Sequence, residues 1–224
     1  MRFFRGLAVP EAKAGETVEE IRKTGLVNNA WFWRTEHRRP LPGLLEKPDL
    51  SLEDTRPKGM PGTPAVCACG ELDGASYYAW SHNRSSTNDT PIIIEFEADI
   101  EQVAIDGKDC LYTVFQKGAP DRASGFVRGA FGEKGLSYAE RAWQIENQGT
   151  RIALCDLAIH DPEVIAAHHS NHLVIAGRHR TVYRNAFTVD LPVPPERVLR
   201  VWTPESRPTP PIIDMALTDL LLPR

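Results

Sequence analysis

Arg2-Phe3-Phe4-Arg5-Gly6-Leu7 opens the chain, and its reading decides what the rest of the fold must complete. The residues alternate well enough for a short strand. Residues 12–25 then take helical spacing through Val18, Ile21 and Arg22, with Gly25 as the stop. The same succession recurs downstream: Ala65 to Cys69 is a short apolar run ended by Gly70, and Asp73 is placed to cap a helix through Gly74-Ala75-Ser76-Tyr77-Tyr78-Ala79-Trp80. Pro91-Ile92-Ile93-Ile94-Glu95-Phe96-Glu97 carries the strongest strand signal in the chain.

Beyond it, Gln102 to Ile105 and Leu111 to Phe115 read as shorter strands, with Asp106-Gly107 supplying the turn. A glycine-rich interval from Gly118 to Gly135 leads into Ser137-Tyr138-Ala139-Glu140-Arg141-Ala142-Trp143-Gln144-Ile145-Glu146, which reads as extended, and Thr150 to Leu157 follows as a strand. Pro162 suits the first position of a helix capped by Asp161 and running to about His169. The closing strands fall at Val174-Ile175, Tyr183, Phe187 to Val189 and Val198 to Trp202. Short strands crowded into the middle and end, with a few helices, indicate an α+β fold in a single domain over residues 1–224. That domain carries a long loop at 27–64, opened by Trp31-Phe32-Trp33 and then rich in proline, and a C-terminal tail at 203–224 expected to dock through its apolar residues.

With 224 residues, 42% hydrophobic and 25% charged, the composition is that of an ordinary globular protein. A net charge of −4 gives no overall attraction to a phosphate backbone. Two local basic clusters stand out instead, Arg34, His37, Arg38 and Arg39, and Arg178, His179, Arg180 and Arg184; Arg34 and Arg38 are the candidates for contact with an acceptor. Cys67, Cys69, Cys110 and Cys155 show no metal or redox spacing, and Cys67 and Cys69, on one face of a strand in an apolar context, suit buried free thiols in a reducing cytoplasm. No segment approaches the length of a membrane span, and the start lacks the apolar stretch of a secretion signal, so a cytoplasmic protein without membrane partners is expected. His168, His169 and His172 offer an i, i+4 pair, but no Glu or Cys ligand lies nearby in sequence, so no metal is expected.

Cleaving the glycosidic bond between nicotinamide and ribose in NAD passes through an oxocarbenium-like cation. The minimum set of groups is a carboxylate beside the ribose, an Arg on phosphate and an aromatic ring near nicotinamide. In chain order this sequence offers Arg5, then Tyr77 or Tyr78, then Glu140 or Glu146.

On these residues the first 160 or so positions resemble the ADP-ribosyltransferase superfamily. Phe4-Arg5-Gly6 is similar to its first-strand Arg-Gly, and Ala75-Ser76-Tyr77-Tyr78-Ala79 to the helix of members that use tyrosine. Cys67-Ala68-Cys69 stands where many members have Ser-Thr-Ser, which is a departure. Gln144-Ile145-Glu146 resembles the Gln-x-Glu of transferases that modify arginine or guanine, whereas Ala139-Glu140 resembles the Ala-Glu of DNA-modifying toxins of the DarT type. The resemblance implies a compact mixed or antiparallel β core of two small sheets with flanking helices, and NAD as substrate with no metal. It implies Arg5 and Gly6 at the NAD, Tyr77 or Tyr78 near nicotinamide, Glu140 or Glu146 at the ribose, and Gln144 at the acceptor. The acceptor would be DNA, RNA or protein, and a toxin or defence effector of this kind would be restrained by an antitoxin or immunity protein. Hydrolysis of NAD, and a non-catalytic nucleotide-binding or interaction module, are the alternative functions.

Overall fold

A computed structural model describes residues 1–27, 33–34, 63–106, 110–171, 173–176, 182–184, 186–206 and 215–221. Among these the elements are β1 (Arg2–Pro10), α1 (Glu11–Thr24), β2 (Trp33–Arg34), β3 (Thr63–Cys69), α2 (Leu72–Tyr77), β4 (Asp89–Glu97), β5 (Val103–Ile105), α3 (Leu111–Lys117), α4 (Pro120–Trp143), α5 (Gln148–His160), α6 (Pro162–Ser170), β6 (Val174–Ala176), β7 (Val182–Arg184), β8 (Ala186–Asp190), β9 (Val198–Trp202) and β10 (Met215–Ala216). The fold is α+β. Contacts divide the chain into two compact units, each discontinuous in sequence. Of the described residues, the first holds 1–27, 33–34, 63–103, 184 and 186–206, and the second holds 104–106, 110–171, 173–176, 182–183 and 215–221.

The first unit is built on a sheet of order β5-β8-β3-β1-β4-β9, entered by β5 through Val103, with β2 pairing β3. Where two small sheets are expected, the described residues thus give one seven-stranded sheet and a separate three-stranded one. β1 is central because it is apolar on both faces. It pairs antiparallel with β4 along its whole length, from Arg2↔Glu97 to Pro10↔Asp89. Alternation sends Phe3 and Leu7 to one side and Phe4 and Gly6 to the other. Phe3 lies at the heart of one layer, with the Phe96 ring 6.1 Å away and Phe187 edge-on at 5.2 Å. The isoleucine run of β4 is fully buried, which is why it reads so clearly as a strand. α1 ends at Gly25, whose φ of 74° is a left-handed conformation that favours glycine, and Arg22 donates to the carbonyl of Val201 on β9 at 3.0 Å.

On its other side β1 behaves differently. It meets β3 at one register pair, Phe4↔Cys69, while β3 goes on to pair β8 from Cys69↔Ala186 to Ala65↔Asp190. The sheet is therefore two halves joined at a single rung.

The second unit is helical, and here three expected strands become helices. Leu111–Phe115 lies in α3, the glycine-rich interval and the Glu140 segment form α4, and Thr150–Leu157 lies in α5. The buried positions explain the change. Ala123, Phe126, Val127, Ala130 and Phe131 follow helical spacing, as do Thr150, Ala153, Leu154 and Ala158. Because many of the buried groups are alanines and glycines, the apolar stripe is weak when only large side chains are counted. α4 is broken at Gly132, which has φ 74° and where an added Cβ would lie 2.9 Å from the Cβ of Ala167. Such a break deprives nearby carbonyls of their helical partners. That of Ala130 is met by α6 and its C-cap residue instead, with Nδ1 of His168 at 2.9 Å and Nδ2 of Asn171 at 2.8 Å. Asp161 accepts from the Glu163 amide at the start of α6, as its sequence indicates. The remaining strands form a sheet of order β10-β6-β7, in which Met215 pairs with Ile175.

His168 is buried and its ring stacks on Phe131 with centroids 4.6 Å apart. Burial pushes its pKa down from 6.5 to about 4, outweighing the Ala130 hydrogen bond, which acts the other way. The folded state thus binds fewer protons than the unfolded one between these values. Stability from the neutral ring is complete above about pH 6.5 and is lost as pH falls towards 4, by at most about 3 kcal/mol. Urea unfolding at pH 7.5 and pH 5 should show the loss, and His168→Gln should flatten this part of the profile.

Candidate functional site

The chemistry-bearing residues of the first unit gather where β1 and β3 part. Continued past Phe4↔Cys69, the antiparallel register would bring Gly6 opposite Cys67; that rung is not formed. Both carbonyls of the missing rung are taken by side chains. Arg5 Nη1 donates to the Cys67 carbonyl at 2.7 Å, and Asn83 Nδ2 donates to the Gly6 carbonyl at 2.8 Å. The guanidinium sits in a poorly solvated place, and burial lowers its pKa from the usual arginine value. Contrary to the expectation of two buried thiols, Cys67 is exposed, because β1 pairs with β3 only as far as Cys69; Cys69 is buried and its pKa is pushed up to about 12, chiefly by desolvation.

Gly6 is needed for packing. A Cβ there would lie 1.9 Å from the carbonyl oxygen of Ala75 and 2.7 Å from the amide nitrogen of Ala79, so α2 and the turn after it rest directly on the β1 backbone. That turn, Tyr78–His82, is π-helical, and it ends with the Asn83 amide donating to the Tyr78 carbonyl at 2.8 Å. The helix begins one residue before the expected cap. Glu71 occupies the N-cap without a side-chain capping bond to the helix, and Asp73 lies inside, accepting from the Gly74 amide.

Tyr78 is half-buried. Together with Phe4 and Trp202 it packs against a cluster of Cys69, Ala75, Ala79 and Ile93, and the Tyr77 ring meets it edge-on at 5.8 Å. Arg5 and Tyr78 are therefore rooted on opposite faces of the sheet, since Phe4 and Arg5 are neighbours on one strand. Beyond the π turn, Asp89 Oδ2 accepts from the Ser85 hydroxyl and the amides of Ser85 and Ser86. The Ser85 bond leads in holding that carboxyl below its usual range. Arg84 lies over the Trp80 ring at 5.2 Å, and Trp80 Nε1 is buried with no hydrogen-bond partner among the described residues.

The acidic candidates belong to the second unit. Glu140 is exposed on the last turns of α4, four residues before Gln144, so the two share one helix face. Gln144 is the C-cap residue and is exposed; its amide donates to the Arg141 carbonyl at 3.2 Å. Glu146 is exposed in the connection to α5. The helix removes the expectation that Glu140, Gln144 and Glu146 lie in one row along an extended strand. Nearby, Tyr138 donates to Asp161 at 2.9 Å, and desolvation raises its pKa.

Arg34 is in β2, opposite Thr63, and Arg38 lies outside the described residues, as does most of the loop at 27–64. His172 also lies outside them. No group of three or more His, Cys, Asp or Glu side chains that could hold a metal ion occurs among the described residues, and none of their helices is long and apolar enough to cross a membrane. Sequence reading did not single out Asn83. Its only local signal is an Asn in a polar stretch just after a helix.

Neither a protein-family model, nor a curated protein, nor a solved structure matches this chain.

Proposed function

We propose that this chain is an NAD-dependent ADP-ribosyltransferase of Arg…Tyr…Glu type, acting as a bacterial toxin or defence effector on a macromolecule. The observation that carries the reading is the half-buried, poorly solvated Arg5 guanidinium at the missing rung between β1 and β3. A cation kept in a poorly solvated place favours an anionic ligand, and the guanidinium fork can serve a carbonyl and phosphate oxygens together. NAD supplies that anion in its pyrophosphate. Arg5 binds it, and a carboxylate, Glu140 or Glu146, stabilises the ribosyl cation as nicotinamide leaves. Tyr77 or Tyr78 lies near the nicotinamide, and Gln144, Arg34 and Arg38 contact the acceptor.

The test is to incubate the protein with NAD labelled in its adenylate half, together with cell lysate and nucleic acid. Label covalently attached to protein, DNA or RNA is expected, and its location identifies the acceptor. Label recovered only as free ADP-ribose would mean hydrolysis, and label recovered only as intact NAD would mean a module without catalysis.

A further inference from the structure

We propose that Asn83 is a positioning residue that keeps β1 and β3 unzipped and so keeps Arg5 at the Cys67 carbonyl. The kinetic consequence rests on the NAD-cleaving reading above; the structural one rests on the hydrogen bonds alone.

Antiparallel strands that share one rung ordinarily form the next, because each rung satisfies two amides and two carbonyls at once. Phe4↔Cys69 is formed and Gly6 opposite Cys67 is not. What occupies the two carbonyls is specific. The Cys67 oxygen holds Arg5 Nη1 and the Gly6 oxygen holds Asn83 Nδ2. Closing the rung would displace both donors, so each of them stabilises the open form, and Asn83 does so from outside the strands. The route by which it gets there is also visible. The π-helical turn Tyr78–His82 adds a residue relative to an α-turn and closes on the Asn83 amide through the Tyr78 carbonyl. Because Gly6 has no side chain, the α2 backbone lies close enough for the short Asn83 side chain to reach. A neutral amide donor suits the position, whereas a carboxylate of the same shape would be repelled by the Gly6 carbonyl oxygen that it faces.

Asn83→Asp therefore removes the donor without changing the volume, and two readouts follow it. One is the Michaelis constant for NAD in a nicotinamide-release assay. The other is the rate at which iodoacetamide alkylates Cys67, the exposed cysteine beside Arg5, the other three being buried. If the rung closes and Arg5 leaves, the thiol loses the nearby cation that favours its reactive thiolate. The expected result is a KM raised about tenfold with kcat little changed, and alkylation slowed about threefold. Asn83→Ser, which keeps a shorter donor, should fall between the variant and the parent. Should Asn83→Asp fail to fold, Asn83→Ala is read in the same way. An unchanged alkylation rate in a folded variant overturns the proposal whether or not the chain cleaves NAD. Slowed alkylation with an unchanged KM overturns the link to NAD binding. In a chain that does not cleave NAD the alkylation rate alone decides, slowing supporting the unzipped-strand role and constancy refuting it.

Discussion

Gly6→Ala is expected to destabilise the first unit strongly. The added carbon would stand 1.9 Å from a backbone oxygen and 2.7 Å from a backbone nitrogen, and neither can rotate away as a side chain could. Relief requires lifting α2 and the π turn off β1, which also draws Asn83 away from the Gly6 carbonyl. Overpacking against backbone atoms sits at the upper end of its usual range, about 3 kcal/mol. For a domain of this length that lowers the thermal midpoint by roughly 6–12 °C. Gly15→Ala is the matched control: Gly15 is exposed in α1, a Cβ there meets nothing within 4 Å, and the change should stabilise by about 0.5–1 kcal/mol. Circular-dichroism melts of the two variants give the contrast, and equal midpoints would contradict the close packing of α2 on β1.

Glu140→Gln is expected to abolish most NAD cleavage while leaving the fold unchanged. The side chain is exposed on α4, so an isosteric amide disturbs no packing, and any loss of activity is chemical. Removing a charge that stabilises a developing cation costs about a hundred- to a thousandfold in kcat. Glu146→Gln distinguishes the alternatives. Near-parental activity in that variant assigns the ribose carboxylate to Glu140, and full activity in Glu140→Gln with loss in Glu146→Gln reverses the assignment. The choice bears on the acceptor as well, because Gln144 precedes Glu146 in a Gln-x-Glu order, whereas on α4 it shares a face with Glu140.

What the chain reveals in one dimension depends on how local the cause is. The Ile92–Ile94 run and the Gly25 stop act through their own side chains and backbone, and both are legible. The helix capped by Asp161 is legible for the same reason, since cap and Pro162 are adjacent. α3, α4 and α5 are not: α3 is 7 residues long, too short for its period to be told from a strand's, and in α4 glycine at 125, 129, 132 and 135 suggests breaks, of which only the one at Gly132 is real. In α4 the buried stripe includes Ala123, Ala130, Ala139 and Ala142, and alanine marks a helix face more faintly than leucine. The candidate site divides along the same line. Arg5 and Gly6 announce themselves as a dipeptide on a strand, although Gly6 turns out to serve helix packing. Asn83 does not, because its role depends on a rung left unformed between segments more than sixty residues apart in sequence. Tyr78 reads equally as stacking platform or core residue, and its place among Phe4, Cys69 and Ile93 accounts for the second reading.

The central claim is that this chain breaks the bond between nicotinamide and ribose, using Arg5. Its most direct test is nicotinamide release from NAD by the purified protein and by Arg5→Ala, followed over time by chromatography. The expected result is steady release by the parent and release reduced at least about a hundredfold by the variant. No release by the folded parent above the buffer control, or equal release by both proteins, would contradict it.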